Sequence, residues 1–238
     1  MSSRSVFAVV LVASVLWTGC ATVERTPLAT ETRKGIRTVA VIDVPEPEKY
    51  FLVPGLVPGG PALYVFGAIG GLILGGIEAA RFEAATDEFT AALKPTRPDV
   101  ARHWNESVAD LLRSKGFEVT RLPPLPKRAE GDDPDCSAIA GKYDAVLLST
   151  ISAGYAVESA VEPRVYASLR LASGRCTETH FSDSLLFSAK PIGSFTHVER
   201  DARFSYPSRE ALMADPQMAG NALRAGVAEI ARRAASGL

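Results

Sequence analysis

Six side chains in this 238-residue chain are suited to nucleophilic, redox or metal chemistry: Cys20, Cys136, Cys176, His103, His180 and His197. Their spacing argues against most of it. The histidines are not in a His-Glu-x-x-His pattern and the cysteines are not in Cys-x-x-Cys pairs, so no metal motif is present. No Gly-x-Ser-x-Gly elbow, Ser-x-x-Lys motif, phosphate loop or dinucleotide fingerprint occurs either. A Cys176–His180 dyad is conceivable, as is a meeting of His180 or His197 with Asp183, but a disulfide or a structural cysteine is the simpler reading. Asp43, at the end of an apolar run, is the best isolated polar candidate, because strand ends of α/β sheets carry ligands. Its competing role is to cap the turn before Pro45. Glu158 and Glu162, with Arg164 and Arg170, read as solvated strand surface. Neither catalysis nor a cofactor nor a metal is expected.

The residues before Cys20 set its chemistry. Arg4 supplies a positive charge, Val6 to Trp17 form an apolar run, and Thr18 and Gly19 are small, which is the layout of a secretory signal. Leu16-Trp17-Thr18-Gly19-Cys20 resembles the lipobox of bacterial lipoproteins, with Trp17 standing where an aliphatic residue is usual. That resemblance implies a signal peptide over residues 1–19, cut before Cys20, whose thiol and new amino group are both acylated. Burial of about 0.8 kcal/mol per methylene makes several acyl chains a firm anchor without any spanning helix. Ala21 in place of an aspartate resembles the enterobacterial sorting pattern for the outer membrane, facing the periplasm. An ordinary secretory signal or a retained anchor is the alternative. In such an oxidising compartment Cys136 and Cys176 are an even pair, either bridged across a loop of about forty residues or left as two thiols.

Composition fits an ordinary globular chain, 47% hydrophobic and 22% charged, with a net charge of −1. No basic stripe points to nucleic acid. Residues 20–36 are short, polar and charged and read as a lipidated tether holding the folded part away from the bilayer. Residues 37–238 then read as one periplasmic domain. Thr38 to Val44 is an apolar, β-branched run stopped by Pro45 and Pro47, hence a buried strand. Val100, Trp104, Val108, Leu111 and Leu112 recur at helical spacing, with Thr96 and Asp99 as caps and Gly116 as the stop. Strands follow at residues 117–122 and 143–152, separated by a Pro-rich loop and a short turn near Cys136. Val165, Ala167, Leu169 and Leu171 alternate with Arg164, Tyr166, Ser168 and Arg170, predicting one buried and one wet face. With residues 177–189 this makes an antiparallel hairpin. Asp215 and Pro216 open a last helix with a stripe at Met218, Leu223, Val227 and Ile230.

The expected fold is therefore α/β (α+β): a mixed sheet with helices mainly on one face, a C-terminal β-hairpin and helix, and an insertion after the first strand. The order of elements resembles the small α/β domain of envelope lipoproteins, such as the curli-secretion lipoprotein, the amino-terminal domain of TolB and the lipoprotein activators of penicillin-binding proteins. The insertion, residues 51–77, holds no charged residue over 27 positions. Gly67, Gly71 and Gly75 fall every fourth residue, a spacing that lets a second backbone approach closely. Its apolar half is about 24 Å long as a helix, short of a hydrocarbon core of about 30 Å. Burial in the domain, contact with membrane or a second copy, and spanning remain as readings. Residues 78–93 form an amphipathic helix. The function that fits is a non-catalytic lipoprotein binding envelope proteins in assembly, secretion or cell-wall maintenance. The alternatives are a membrane-inserting homo-oligomeric secretion lipoprotein and a periplasmic hydrolase.

Overall fold

A computed structural model describes residues 25–54, 76–128 and 134–238. Seven strands form one mixed sheet: β1 (Thr38–Ile42), β2 (Phe51–Pro54), β3 (Glu118–Leu122), β4 (Ala145–Val157), β5 (Val161–Ser173), β6 (Thr179–Ser188) and β7 (Thr196–Glu199). Among the described residues five helices accompany it: α1 (Thr30–Gly35), α2 (Gly76–Leu93), α3 (Val100–Ser114), α4 (Arg209–Ala214) and α5 (Pro216–Ala235). The strand order is β3-β1-β4-β5-β6-β7, with β2 also paired to β4. The expected α/β architecture is what the chain adopts. The hairpin β4–β5 pairs over the full length of both strands, so β1 and β2 must share the opposite edge of β4. Val39 to Val41 of β1 pair with Ala145 to Leu147, and Phe51 to Pro54 of β2 pair with Gly154 to Val157. Between them, Leu148 to Ala153 face no strand on that edge among the described residues.

Period-two alternation sorts the core. Val39, Val41, Leu147, Ile151, Tyr155, Val165, Leu169, Phe181 and Leu185 point to one face and pack with Trp104, Val108, Leu112, Leu223, Val227 and Ile230 of α3 and α5. The other face carries two smaller clusters. At one end, Ala40, Ile42, Val146, Leu148 and Ala172 lie under the loop that holds Cys136 and Ile139. At the other, Phe51, Val53, Tyr166 and Leu186 meet Phe82, Ile192 and Phe195.

Several local expectations change. Arg164 and Tyr166 are not wet, because the far cluster covers them and leaves Arg164 only 3% exposed. Asp99 sits at the start of α3 in a left-handed conformation (φ 47°) without capping by its side chain. Glu46 supplies the cap instead, its carboxylate accepting from the Val100 and Ala101 amides at 2.9 Å each. Thr96 donates to the Leu93 carbonyl. Residues 51–54, read as the start of the insertion, are a strand. Its neighbouring backbone is completed by α2, where Thr90 and Thr86 hydroxyls accept from the Tyr50 and Leu52 amides. Of the expected tether, the described part is docked: Thr26 bridges to Ser182 and Thr30–Gly35 is helical. Cys20, Gly67, Gly71 and Gly75 lie outside the described residues. Among the described residues no helix is long and apolar enough to cross a membrane.

Candidate functional site

A cleft of about 630 Å³ opens on the sheet face away from the helices, where β1 ends beside the unpaired stretch of β4. The cleft lies past the carboxyl end of β1, which has β3 on one side and β4 on the other, the kind of position at which α/β sheets bind ligands. The volume falls within the range of about 300–1,000 Å³ usual for ligand sites.

Ile42, Asp43, Val44 and Pro45 make one wall, and two interactions fix it. Asn105 of α3 bonds both ways to Val44, its carbonyl oxygen accepting from Val44 N and its amide donating to Val44 O, each at 2.9 Å. Arg121 of β3 donates bidentately to Asp43 at 2.8 and 2.7 Å, and the carboxylate holds that guanidinium above its ordinary pKa. Pro124, Leu125, Lys127 and Pro134 form the outer wall. This wall belongs to the loop pinned by Cys136 and Cys176, whose sulfur atoms lie at disulfide distance, 2.10 Å, with Cα atoms 6.2 Å apart.

The floor is a row of hydroxyls. Register places Thr150, Ser168 and Ser184 side by side across β4, β5 and β6, with Leu148, Arg170 and Ser182 in the next row. Thr150 and Ser168 hydroxyls hydrogen-bond to each other at 2.7 Å. Ser149 points the other way and accepts from Trp104 Nε1 at 3.0 Å, tying the cleft edge to the helix layer. Asp183, between Ser182 and Ser184, turns its side chain to the helix face with Phe181 and Leu185, where it is buried and held by Thr196 Oγ1 at 2.7 Å and by Arg25 at 3.4 Å.

No protein-family model matches this chain, and comparison with curated proteins finds no significant match.

Of the polar residues singled out in the sequence, Asp43, Arg170 and Asp183 line the cleft. Asp43 is engaged by Arg121 rather than by the turn before Pro45. The histidines do not converge there. His197 Nε2 is bonded to the Ser188 carbonyl at 2.9 Å, His180 sits 3.9 Å from Glu178, and His103 is half-buried on α3. Cys176, paired with Cys136, has no thiol to offer His180. Glu158 and Glu162 are not a solvated pair: each is bonded to a buried or nearly buried arginine, Arg164 and Arg200. Among the described residues Arg164 Nε and Nη1 and the Tyr166 hydroxyl are buried without a hydrogen-bond partner, and burial pushes Tyr166 up to about 12 against the pull of neighbouring Arg164. Among the described residues no group of His, Cys, Asp and Glu could hold a metal ion.

Sequence reading missed Asn105, Glu46 and the hydroxyl row. The row had a legible signal: small hydroxyl residues at alternate positions of strands whose other face is mostly apolar.

Proposed function

We propose that this protein is a lipoprotein held in the outer membrane through Cys20, facing the periplasm, and that it acts without catalysis by binding an envelope protein. The anchor reading is supported by Leu16-Trp17-Thr18-Gly19-Cys20 and its apolar approach. The binding reading is supported by one observation, the cleft at the end of β1. Its walls are built from Ile42, Val44, Pro45, Pro124, Leu125 and Leu148, and its floor from hydroxyls at strand spacing. Apolar walls take apolar side chains, and evenly spaced hydroxyls serve the carbonyls and amides of an extended chain. Aromatic platforms for sugar stacking are missing from the lining. The partner is therefore a polypeptide segment with apolar side chains at its centre.

The test is photocrosslinking in intact cells, with the crosslinking residue replacing Leu125 in the cleft wall or Arg209 on α4. The expected result is a discrete protein adduct from position 125 and none from 209. Equal adducts from both positions, or none from 125, would overturn the binding reading. Cys20→Ser in the same cells should abolish membrane fractionation, and normal fractionation of that variant would sink the anchor reading.

A further inference from the structure

We infer that the end of the sheet at which β1, β3 and β4 begin rests on the anionic headgroups of the membrane. This rests on the anchoring at Cys20 proposed above and specifies how that anchor orients the domain.

The first argument is reach. Arg25 and Thr26 are docked rather than free: Thr26 N donates to Ser182 O at 3.0 Å, Ser182 N donates back to Thr26 O at 2.9 Å, and Arg25 pairs with the buried Asp183. Only residues 21–24 separate this fixed point from Cys20. Five residue steps span at most about 18 Å, whereas the thirteen residues of β4 run for about 43 Å. A lipid on Cys20 therefore keeps the docking point close to the bilayer and leaves the opposite end of the sheet beyond its reach. Ser182 lies three residues into β6, so the surface nearest the anchor is either the starting end of the sheet or the adjoining edge of β6.

The second argument is charge. Six exposed cations crowd the starting end: Arg25, Lys34, Arg37, Lys115, Lys142 and Arg175. They converge there through the fold. Arg33 of α1 bonds the Lys115 carbonyl and lies over the Phe117 ring, Glu118 N bonds the Arg37 carbonyl, and Gly174 N bonds the Asp144 carbonyl. The acids of this end are already engaged. Glu31 is paired with Lys34, Glu118 with Arg37 and Glu178 with His180, while Asp144 accepts from the Arg37 and Thr38 amides. Lys115, Lys142 and Arg175 make no ion pair among the described residues and outnumber Asp144 and Glu178, whose charges two amides and a neutral imidazole leave in place, so a net basic surface remains where the proposed anchor enters. Such surfaces are drawn to anionic lipid within a Debye length. Held this way, the cleft on the sheet face opens sideways along the bilayer, with its row Leu148–Arg170–Ser182 three residues up from the starting row Ala145–Ser173.

The experiment uses the full-length protein purified from cells and reconstituted into vesicles. A photocrosslinking residue replaces Lys142 or Arg175 at the starting end, or Lys190 beyond the far end of β6. Vesicles of phosphatidylethanolamine with phosphatidylglycerol are compared with pure phosphatidylcholine, and the mass of the N-terminal peptide reports the lipid on Cys20. The expected result is lipid adducts from positions 142 and 175 but not 190, stronger with phosphatidylglycerol. In a Lys115→Glu variant, adduct yield at 142 should fall by about fivefold or more for each charge lost, less at high salt. A lipidated protein that crosslinks equally at all three positions, or only at 190, would overturn the orientation while leaving the anchor intact. An N-terminus without lipid would overturn the anchor, and the orientation with it.

Discussion

Asp144 shows how one carboxylate joins two strands of the sheet. Its Oδ2 accepts from the Arg37 and Thr38 amides at 2.9 and 2.8 Å and from the Thr38 hydroxyl at 3.0 Å. The Thr38 amide, then the Arg37 amide, hold this group below its ordinary pKa. A depressed carboxylate stabilises the fold at any pH above its unfolded value, near 3.9, and that contribution is lost as pH falls through the folded value. Asp144→Asn should therefore cost about 1 kcal/mol at neutral pH, a modest figure because the site is exposed to water. Thermal melts of both proteins should differ at pH 7 and converge at the acid end. A constant difference down to pH 2 would show that the charge has no part in it. Asp144 was not singled out in the sequence, where it is one of many acids in loops. Asp43 was, as the end of the first strand, and it does line the cleft. Its partner Arg121 was not legible, because β1 and β3 are joined only by parallel pairing across more than seventy residues.

At the scale of elements, β2 depends on a glycine in its neighbour. A Cβ on Gly154 would fall 2.0 Å from the Phe51 carbonyl oxygen and 2.6 Å from its ring. Gly154→Ala should displace β2, uncover Tyr166 and cost about 3 kcal/mol or more, read by urea unfolding. The same substitution at Gly35, where a Cβ meets nothing within 4 Å, provides the control and should be nearly silent. The loop over the cleft is governed by the cysteine pair, 40 residues apart. Cys136→Ser with Cys176→Ser should lower stability by about 3–4 kcal/mol in the chain-entropy model, and a reducing agent should do the same to the wild type but nothing to the double variant. Helix α3 and the hairpin β5–β6 were readable from period, and α5 from period and its Asp215 cap, because burial of one face leaves its spacing in the chain. Strand β2 was not. Four residues between prolines and glycines carry no period, and pairing with β4 is what makes them a strand.

For the molecule as a whole, Arg25 and Thr26 tie the start of the described chain to the sheet. Asp183 is the pivot, buried on β6 and shared by Arg25 and Thr196. Asp183→Ala should free residues 25–28 and raise the rate of tryptic cleavage after Arg25 by about fivefold, matching a loss of about 1 kcal/mol in local opening. Unchanged cleavage would mean that the Thr26–Ser182 bridge alone holds the segment. The segment was expected to be a loose tether because it is polar and charged, and composition cannot tell a solvated strand edge from a linker. What overrides composition here is the open edge of β6, which offers amide and carbonyl groups to any chain that passes.

The sequence by itself determined the class of fold, the helices, the hairpin and the pairing capacity of two cysteines, since each of these leaves a pattern of side chains along a short stretch. It also carried the whole case for the proposed anchor, which lies in the first twenty residues. Only the tertiary structure decided that β1 and β2 share one edge of β4, that Glu46 caps a helix more than fifty residues away, and that hydroxyls from three strands line one cleft. Those are contacts between residues distant in the chain. Their energy comes from pairing and burial across that distance, and no local pattern records which partner will be met.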